Sequence, residues 1–130
     1  MDRMILIVDD SPTDIELTTI ALEATGKKID FLSAQDGKSA LSMLRNALRL
    51  PALILLDLKM PGMGGVEVLR EIRADTRIRE IPVVVVTSSA LDSDRADAIA
   101  AGASGYIQKP LALAQFSKDL EAIVHRWLPI

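Results

Sequence analysis

The 130-residue chain is 49% hydrophobic and 25% charged, with a net charge of −3 and no cysteine. That is enough chain for one domain, residues 1–130, burying roughly two thirds of its unfolded surface without disulfides, and it excludes thiolate zinc sites. Charges of both signs interleave, leaving no basic stripe for nucleic acid, and no apolar run approaches the roughly 20 residues of a membrane span or the core of a signal peptide, so a cytoplasmic setting is expected.

Short apolar runs alternate with helical stripes, without internal repeats or linkers. The first strand, 4–8, runs into Asp9 and Asp10. Ser11-Pro12 then offers an N-cap followed by proline at the first helical position, with Asp14 near the positive end of the helix dipole. Leu17, Ile20, Ala21 and Ala24 form that helix's apolar stripe, and Gly26 ends it. A second strand at 29–32 precedes a helix opened by Asp36-Gly37, with Ala40, Leu41, Leu44, Ala47 and Leu48 as its stripe. The third strand, 52–56, ends at Asp57, and Pro61-Gly62 makes a turn into a helix marked by Val66, Leu69 and Ile72. Gly62, Gly64 and Gly65 lack the spacing and the Lys-Ser/Thr of a phosphate-binding P-loop, and Met60 and Met63 beside them are expected to fill an irregular gap in the packing. The fourth strand, 82–86, reaches Thr87, and the fourth helix carries Ala96, Ile99, Ala100 and Ala103, stopping near Gly102. The fifth strand, 105–108, runs into Lys109-Pro110, and Phe116, Leu120, Ile123, Val124 and Trp127 stripe the last helix. All five strands have the composition of strands buried on both faces.

This (βα)5 pattern requires parallel strands with right-handed crossovers, hence a three-layer α/β sandwich; a closed barrel needs eight units. In such a sheet the ligand crevice lies outside the carboxyl ends of the strands. Asp9, Asp10, Asp57, Thr87 and Lys109 all fall on that edge. Three carboxylates and one ammonium leave a local charge of about −2, which like-charge repulsion disfavours unless a cation compensates it. Oxygen ligands without thiolate or a nearby histidine suit Mg2+ better than Zn2+. Asp57 then has the chemistry of a nucleophile toward phosphorus, with Lys109 and the Thr87 hydroxyl meeting the developing negative charge. Spacing alone leaves phosphoryl transfer to Asp57 and metal-dependent hydrolysis equally open.

Four motifs stand in order at these strand ends: Ile7-Val8-Asp9-Asp10-Ser11-Pro12, Leu55-Leu56-Asp57-Leu58-Lys59-Met60-Pro61-Gly62-Met63-Gly64-Gly65, Val85-Val86-Thr87-Ser88, and Gly102-Ala103-Ser104-Gly105-Tyr106-Ile107-Gln108-Lys109-Pro110. Through nearly its full length the chain resembles a response-regulator receiver domain of two-component signalling, of the stand-alone chemotaxis or phytochrome-kinase type. The resemblance implies a flavodoxin-like fold with strand order 2-1-3-4-5. It implies Asp57 as phosphoacceptor, with Mg2+ held by Asp10, Asp57 and the backbone carbonyl of Lys59, and by Asp9 through a water. Thr87 and Tyr106 match the family's coupled switch pair. Lys109 matches the lysine that contacts the phosphoryl oxygens, ahead of a proline whose peptide bond is usually cis. The Lys59 side chain and Ser89 occupy positions that influence the access of hydrolytic water; a lysine there either lies over the phosphoryl group or points to solvent.

His125, on the last helix and remote from every strand end, is expected to have no chemical role. The phosphoryl group must therefore come from outside, from a sensor histidine kinase or a histidine phosphotransfer protein. The family's readout surface is helix 4, strand 5 and helix 5. The length leaves no room for an output domain, so the expected action is on a downstream protein target, as a monomer or weak homodimer, by a signalling protein and not an enzyme. Passing phosphate onward as a phosphorelay intermediate, or service as a degenerate binding scaffold, are the alternatives; a small phosphatase would need an Asp-x-Asp loop, and Asp9 and Asp10 are adjacent. Trp127 either seats a dimer partner or closes the bottom of the core.

Overall fold

A computed structural model describes residues 3–109 and 112–128. The elements alternate as β1 (Met4–Val8), α1 (Pro12–Glu23), β2 (Asp30–Ala34), α2 (Gly37–Asn46), β3 (Leu53–Leu56), α3 (Gly65–Ala74), β4 (Val83–Thr87), α4 (Asp92–Ala100), β5 (Gly105–Gln108) and α5 (Leu113–Trp127). All strand pairs are parallel and the sheet order is β2-β1-β3-β4-β5, the order that the resemblance implies. None of the helices in the described residues is long and apolar enough to cross a membrane.

The two-residue period of the strands divides the core. Leu6, Val8, Ile54 and Leu56 face Leu41 and Leu44 of α2 and Leu69 and Ile72 of α3, while Ile5, Ile7, Leu53 and Leu55 face Leu22 of α1 and Phe116, Leu120 and Val124 of α5. Trp127 packs, partly buried, against the second layer, and Met60 and Met63 fill the first. The expected stripes of α3 and α5 therefore point inward.

Three expectations are corrected. The second strand lies at 30–34, and of its residues only Ala34 is fully buried, as only Ile107 is in β5; both are edge strands with a single neighbour, so the flanking helices do not cover both their faces. On α1 the inward face is Ile15, Thr18, Ala21 and Leu22, and Leu17 and Ile20 are 41% and 48% exposed. Both sets recur at helical spacing, and contact with α5 and the sheet selects the one that carries Leu22. On α4 only Ala98 is buried, against Leu58 and Val85, and Ala96, Ile99 and Ala100 face outward.

The second helix also stops earlier than its stripe. Arg77, from the segment after α3, donates to the carbonyls of Leu44 (2.9 Å), Arg45 (3.1 Å) and Ala47, satisfying the end of α2 and leaving Leu48 fully exposed. Arg73 plays the same part within the first layer: its guanidinium donates to the carbonyls of Gly102 (3.0 Å), Arg79 (2.8 Å) and Ile81 (2.7 Å) and to Ser104 Oγ (3.3 Å). It thereby joins α3 to the turns that precede β4 and β5.

Two glycines set the loop after β3. Gly62 has φ +74°, as the second central residue of a turn begun by Pro61 requires. Gly65 opens α3 against the backbone of β3's end; a Cβ there would lie 2.3 Å from the carbonyl oxygen of Asp57. The Lys109–Pro110 peptide lies outside the described residues.

Arg73→Met keeps the apolar stem but leaves the part-buried carbonyls of Gly102 and Ile81 short of a donor. A loss of about 1–3 kcal/mol in urea unfolding is expected, against about 1 kcal/mol for Arg77→Ala, two of whose three acceptors are exposed. An Arg73→Met change below that of Arg77→Ala would show that burial does not strengthen the contact.

Candidate functional site

Parallel strands present all their carboxyl ends on one edge, and each hands over a polar residue there. The backbone N–H of Asp9 donates to Ala34 O (3.0 Å) and that of Asp57 to Val8 O (2.9 Å), so the ladder itself fixes both residues. Asp9, Asp57 and Thr87 are buried and Asp10 is exposed. One carboxylate oxygen from each of Asp9, Asp10 and Asp57 lies within 4.8 Å of the others. Lys109 Nζ sits 2.8 Å from Asp9 Oδ2 and 3.5 Å from Asp57 Oδ2.

A fourth carboxylate joins them. Asp14 Oδ2 accepts from Lys109 Nζ at 2.8 Å. The sequence marks Asp14 only as a favourable first-turn residue, and it is that too: Ser11 caps α1 by accepting the Asp14 N–H at 3.2 Å. The same first turn aims its carboxylate at the end of β5, a contact across 95 residues that no local pattern shows.

Burial is the main influence on Asp9 and pushes its pKa up, opposed by hydrogen bonds from Lys109 and the Ser11 N–H. Burial alone would lower the pKa of Lys109, but hydrogen bonds to Asp14 and Asp9, with the charge of Asp57, outweigh it and hold the ammonium above its ordinary range. Lys109 thus stays charged, yet it is one cation among four carboxylates. An all-oxygen donor set with surplus negative charge fits a hard divalent cation.

Thr87 and Tyr106 meet at Ser89. The Ser89 N–H donates to Thr87 Oγ1 at 3.3 Å, and the Tyr106 hydroxyl donates to Ser89 O at 3.3 Å, with the Arg95 guanidinium over the ring. Lys59 donates its backbone N–H to Asp57 Oδ1 at 3.3 Å. Its ammonium forms an ion pair with Asp94 of α4 at 3.0 Å, which is neither of the two placements considered for it from the sequence. His125 lies twelve residues along α5 from Leu113, about 18 Å from the end of that helix nearest Lys109.

The family model for the response regulator receiver domain matches residues 5–121. The phosphorylated cyanobacterial phytochrome response regulator RcpA superposes with a TM-score of 0.92 at 32% identity, over 99% of this chain and 96% of that one. The Mn2+-bound response regulator Rcp1 gives 0.87 at 31%, over 98% and 95%. By sequence, "Probable methanogenesis regulatory protein FilR2" of Methanothrix harundinacea is 37% identical over 131 residues, 96% of this chain and 83% of that one. Another curated relative, 39% identical over 111 residues, is spanned over only 24% of its length.

Because the folded state raises the Asp9 pKa, the charged form costs stability above that raised value, and the cost vanishes below the ordinary value of 3.8, where both states are protonated. Asp9→Asn is therefore expected to raise the urea midpoint at pH 7 without divalent metal, and the gap from wild type to narrow as the pH falls toward 3.8. A gap that widens with acid would reverse the assignment.

Proposed function

Since the chain belongs to the response regulator receiver domain family, we propose that it accepts a phosphoryl group on Asp57 from a phosphohistidine donor and thereby switches a protein-binding surface. The observation that carries this reading is the buried Asp57 carboxylate at the strand edge, with Asp9 and Asp10 oxygens within 4.8 Å and Lys109 at 3.5 Å. A carboxylate so placed has charge stabilisation at hand for an incoming phosphoryl group.

In the proposed step an Asp57 carboxylate oxygen attacks phosphorus, the P–N bond to the donor imidazole breaks, and the imidazole retains the electron pair and takes its proton from solvent. Asp10, Asp57 and the Lys59 carbonyl, with Asp9 through a water, would hold Mg2+, which would supply charge neutralisation when bound; Rcp1 is described with Mn2+. Lys109 turns its ammonium from Asp9 toward the phosphoryl oxygens. The Thr87 hydroxyl donates to one of them, and Tyr106 turns inward as Ser89 follows Thr87.

The phosphoryl group adds about −1.5 to −2 charges at one site. Moving a population from 1:99 to 99:1 takes about 5.5 kcal/mol, and charge-assisted hydrogen bonds of about 1.5–3 kcal/mol each are of the right size. The surface so biased is α4, β5 and α5, where Leu91 and Ile99 are 60% and 56% exposed beside Arg95 and Tyr106. A sensor histidine kinase or histidine phosphotransfer protein is the donor, and a downstream protein is the reader. The near end-to-end match with RcpA favours a regulator of phytochrome-type kinases.

Labelling with radioactive acetyl phosphate and Mg2+ tests this. Wild type is expected to take up label with Mg2+ and to take up none when chelator is added beforehand, and Asp57→Asn to take up none in either case. Label retained by Asp57→Asn, or none in wild type, would overturn the reading; steady turnover of external phosphate esters would favour a phosphatase.

A further inference from the structure

Lys59 and Asp94 come from different elements, the loop after β3 and the first turn of α4, and their ion pair joins the two. The same Asp94 oxygen accepts the hydroxyl of Ser89. Ser89 has no idle polar group: its N–H donates to Thr87, its Oγ accepts the Leu91 N–H at 3.2 Å, and its carbonyl accepts Tyr106. Leu91 gives α4 no side-chain cap, so the Asp94 carboxylate and Ser89 are what fasten the start of that helix. One carboxylate oxygen is thus shared between a lysine two residues from Asp57 and the serine that binds both Thr87 and Tyr106.

We propose that Asp94 is a positioning residue that holds the Lys59 ammonium away from Asp57 in the resting protein. A phosphoryl group on Asp57 competes for that ammonium, and its capture frees Asp94, Ser89 and Tyr106 together. The inference rests on the phosphoacceptor reading of Asp57. A phosphoryl group of about −1.5 to −2 charges outbids one carboxylate for the same cation, and the Lys59 side chain, 59% exposed on a flexible four-carbon stem, changes partner by rotamer changes alone. The first turn of α4, with Asp92 and Asp94 both acidic, then loses the cation that tied it to the loop after β3.

Two variants that break the same ion pair distinguish this from a merely structural contact. Asp94→Asn leaves Lys59 free to reach the phosphoryl group, and Lys59→Met removes it. The lifetime of the acetyl-phosphate label is expected to lengthen in Asp94→Asn and shorten in Lys59→Met, each by about 1.5- to 5-fold, the range an exposed ion pair supports. Tyr106 is the sole tyrosine, so 3-fluorotyrosine gives a single 19F signal. In the phosphate-free protein both variants are expected to move that signal the same way, toward its position in wild type with beryllofluoride and Mg2+, and the double variant to move it no further than the larger single. Lifetimes that change in the same direction, or a Tyr106 signal that Lys59→Met leaves in place, would overturn the exchange. Wild type that takes no label would instead overturn the phosphoacceptor reading and the exchange with it.

Discussion

Everything at the strand edge depends on one ammonium. Lys109 stands at the end of β5, an edge strand paired only with β4, and reaches back over the sheet to Asp9 at the end of β1 and Asp14 in α1, with Asp57 of the central β3 at 3.5 Å. Its charge makes the burial of Asp9 and Asp57 tolerable, because an unpaired buried carboxylate carries a large desolvation cost. One cation does not neutralise the group, however. The fold therefore stores an electrostatic deficit at this edge, and any added positive charge or exchange of partners is felt by three strands and a helix at once. A global net charge of −3 gives no hint of that concentration.

The strands were legible because continuous apolar runs such as Leu53–Leu56 and Val83–Val86 have no face to give to solvent in a parallel sheet. The site was legible for a related reason: parallel connections put the residue after every strand on one edge, so Asp9, Asp57, Thr87 and Lys109 were neighbours before any coordinate was known. Asp14 and Asp94 were not. Each has a sufficient local explanation as an acid in the first turn of a helix, and that explanation hides a long-range ion pair. Arg73 and Arg77 were hidden differently, since their acceptors are backbone carbonyls, which carry no sequence signature.

Periodicity failed on α1 and α4 for a reason that bears on use. Leu17, Ile20 and Ile99 satisfy helical spacing, but the sheet is approached by Ala21 and Leu22 on α1 and by Ala98 on α4. Leu17, Ile20 and Ile99 are left outside. Both helices begin immediately after a site strand, α1 after Asp10 and α4 after the Thr87–Ser89 segment, so their exposed apolar groups ride on elements whose first turns contact the charged edge.

The two helices that follow β3 and β4 on the same face are held in opposite ways. Helix α3 buries Gly65, Val68, Leu69 and Ile72, and its first residue is seated so tightly on the Asp57 backbone that no side chain fits there. Helix α4 buries only Ala98, and its start is fastened by the polar group of Ser89, Asp94 and Lys59. Apolar packing does not respond to charge, whereas a network of ion pair and hydrogen bonds does. A change of charge at Asp57 thus meets a helix that cannot yield and one whose anchoring is itself electrostatic. Local stability is lowest where buried apolar contact is least, so the displacement we propose would fall on α4 and, through Ser89, on Tyr106.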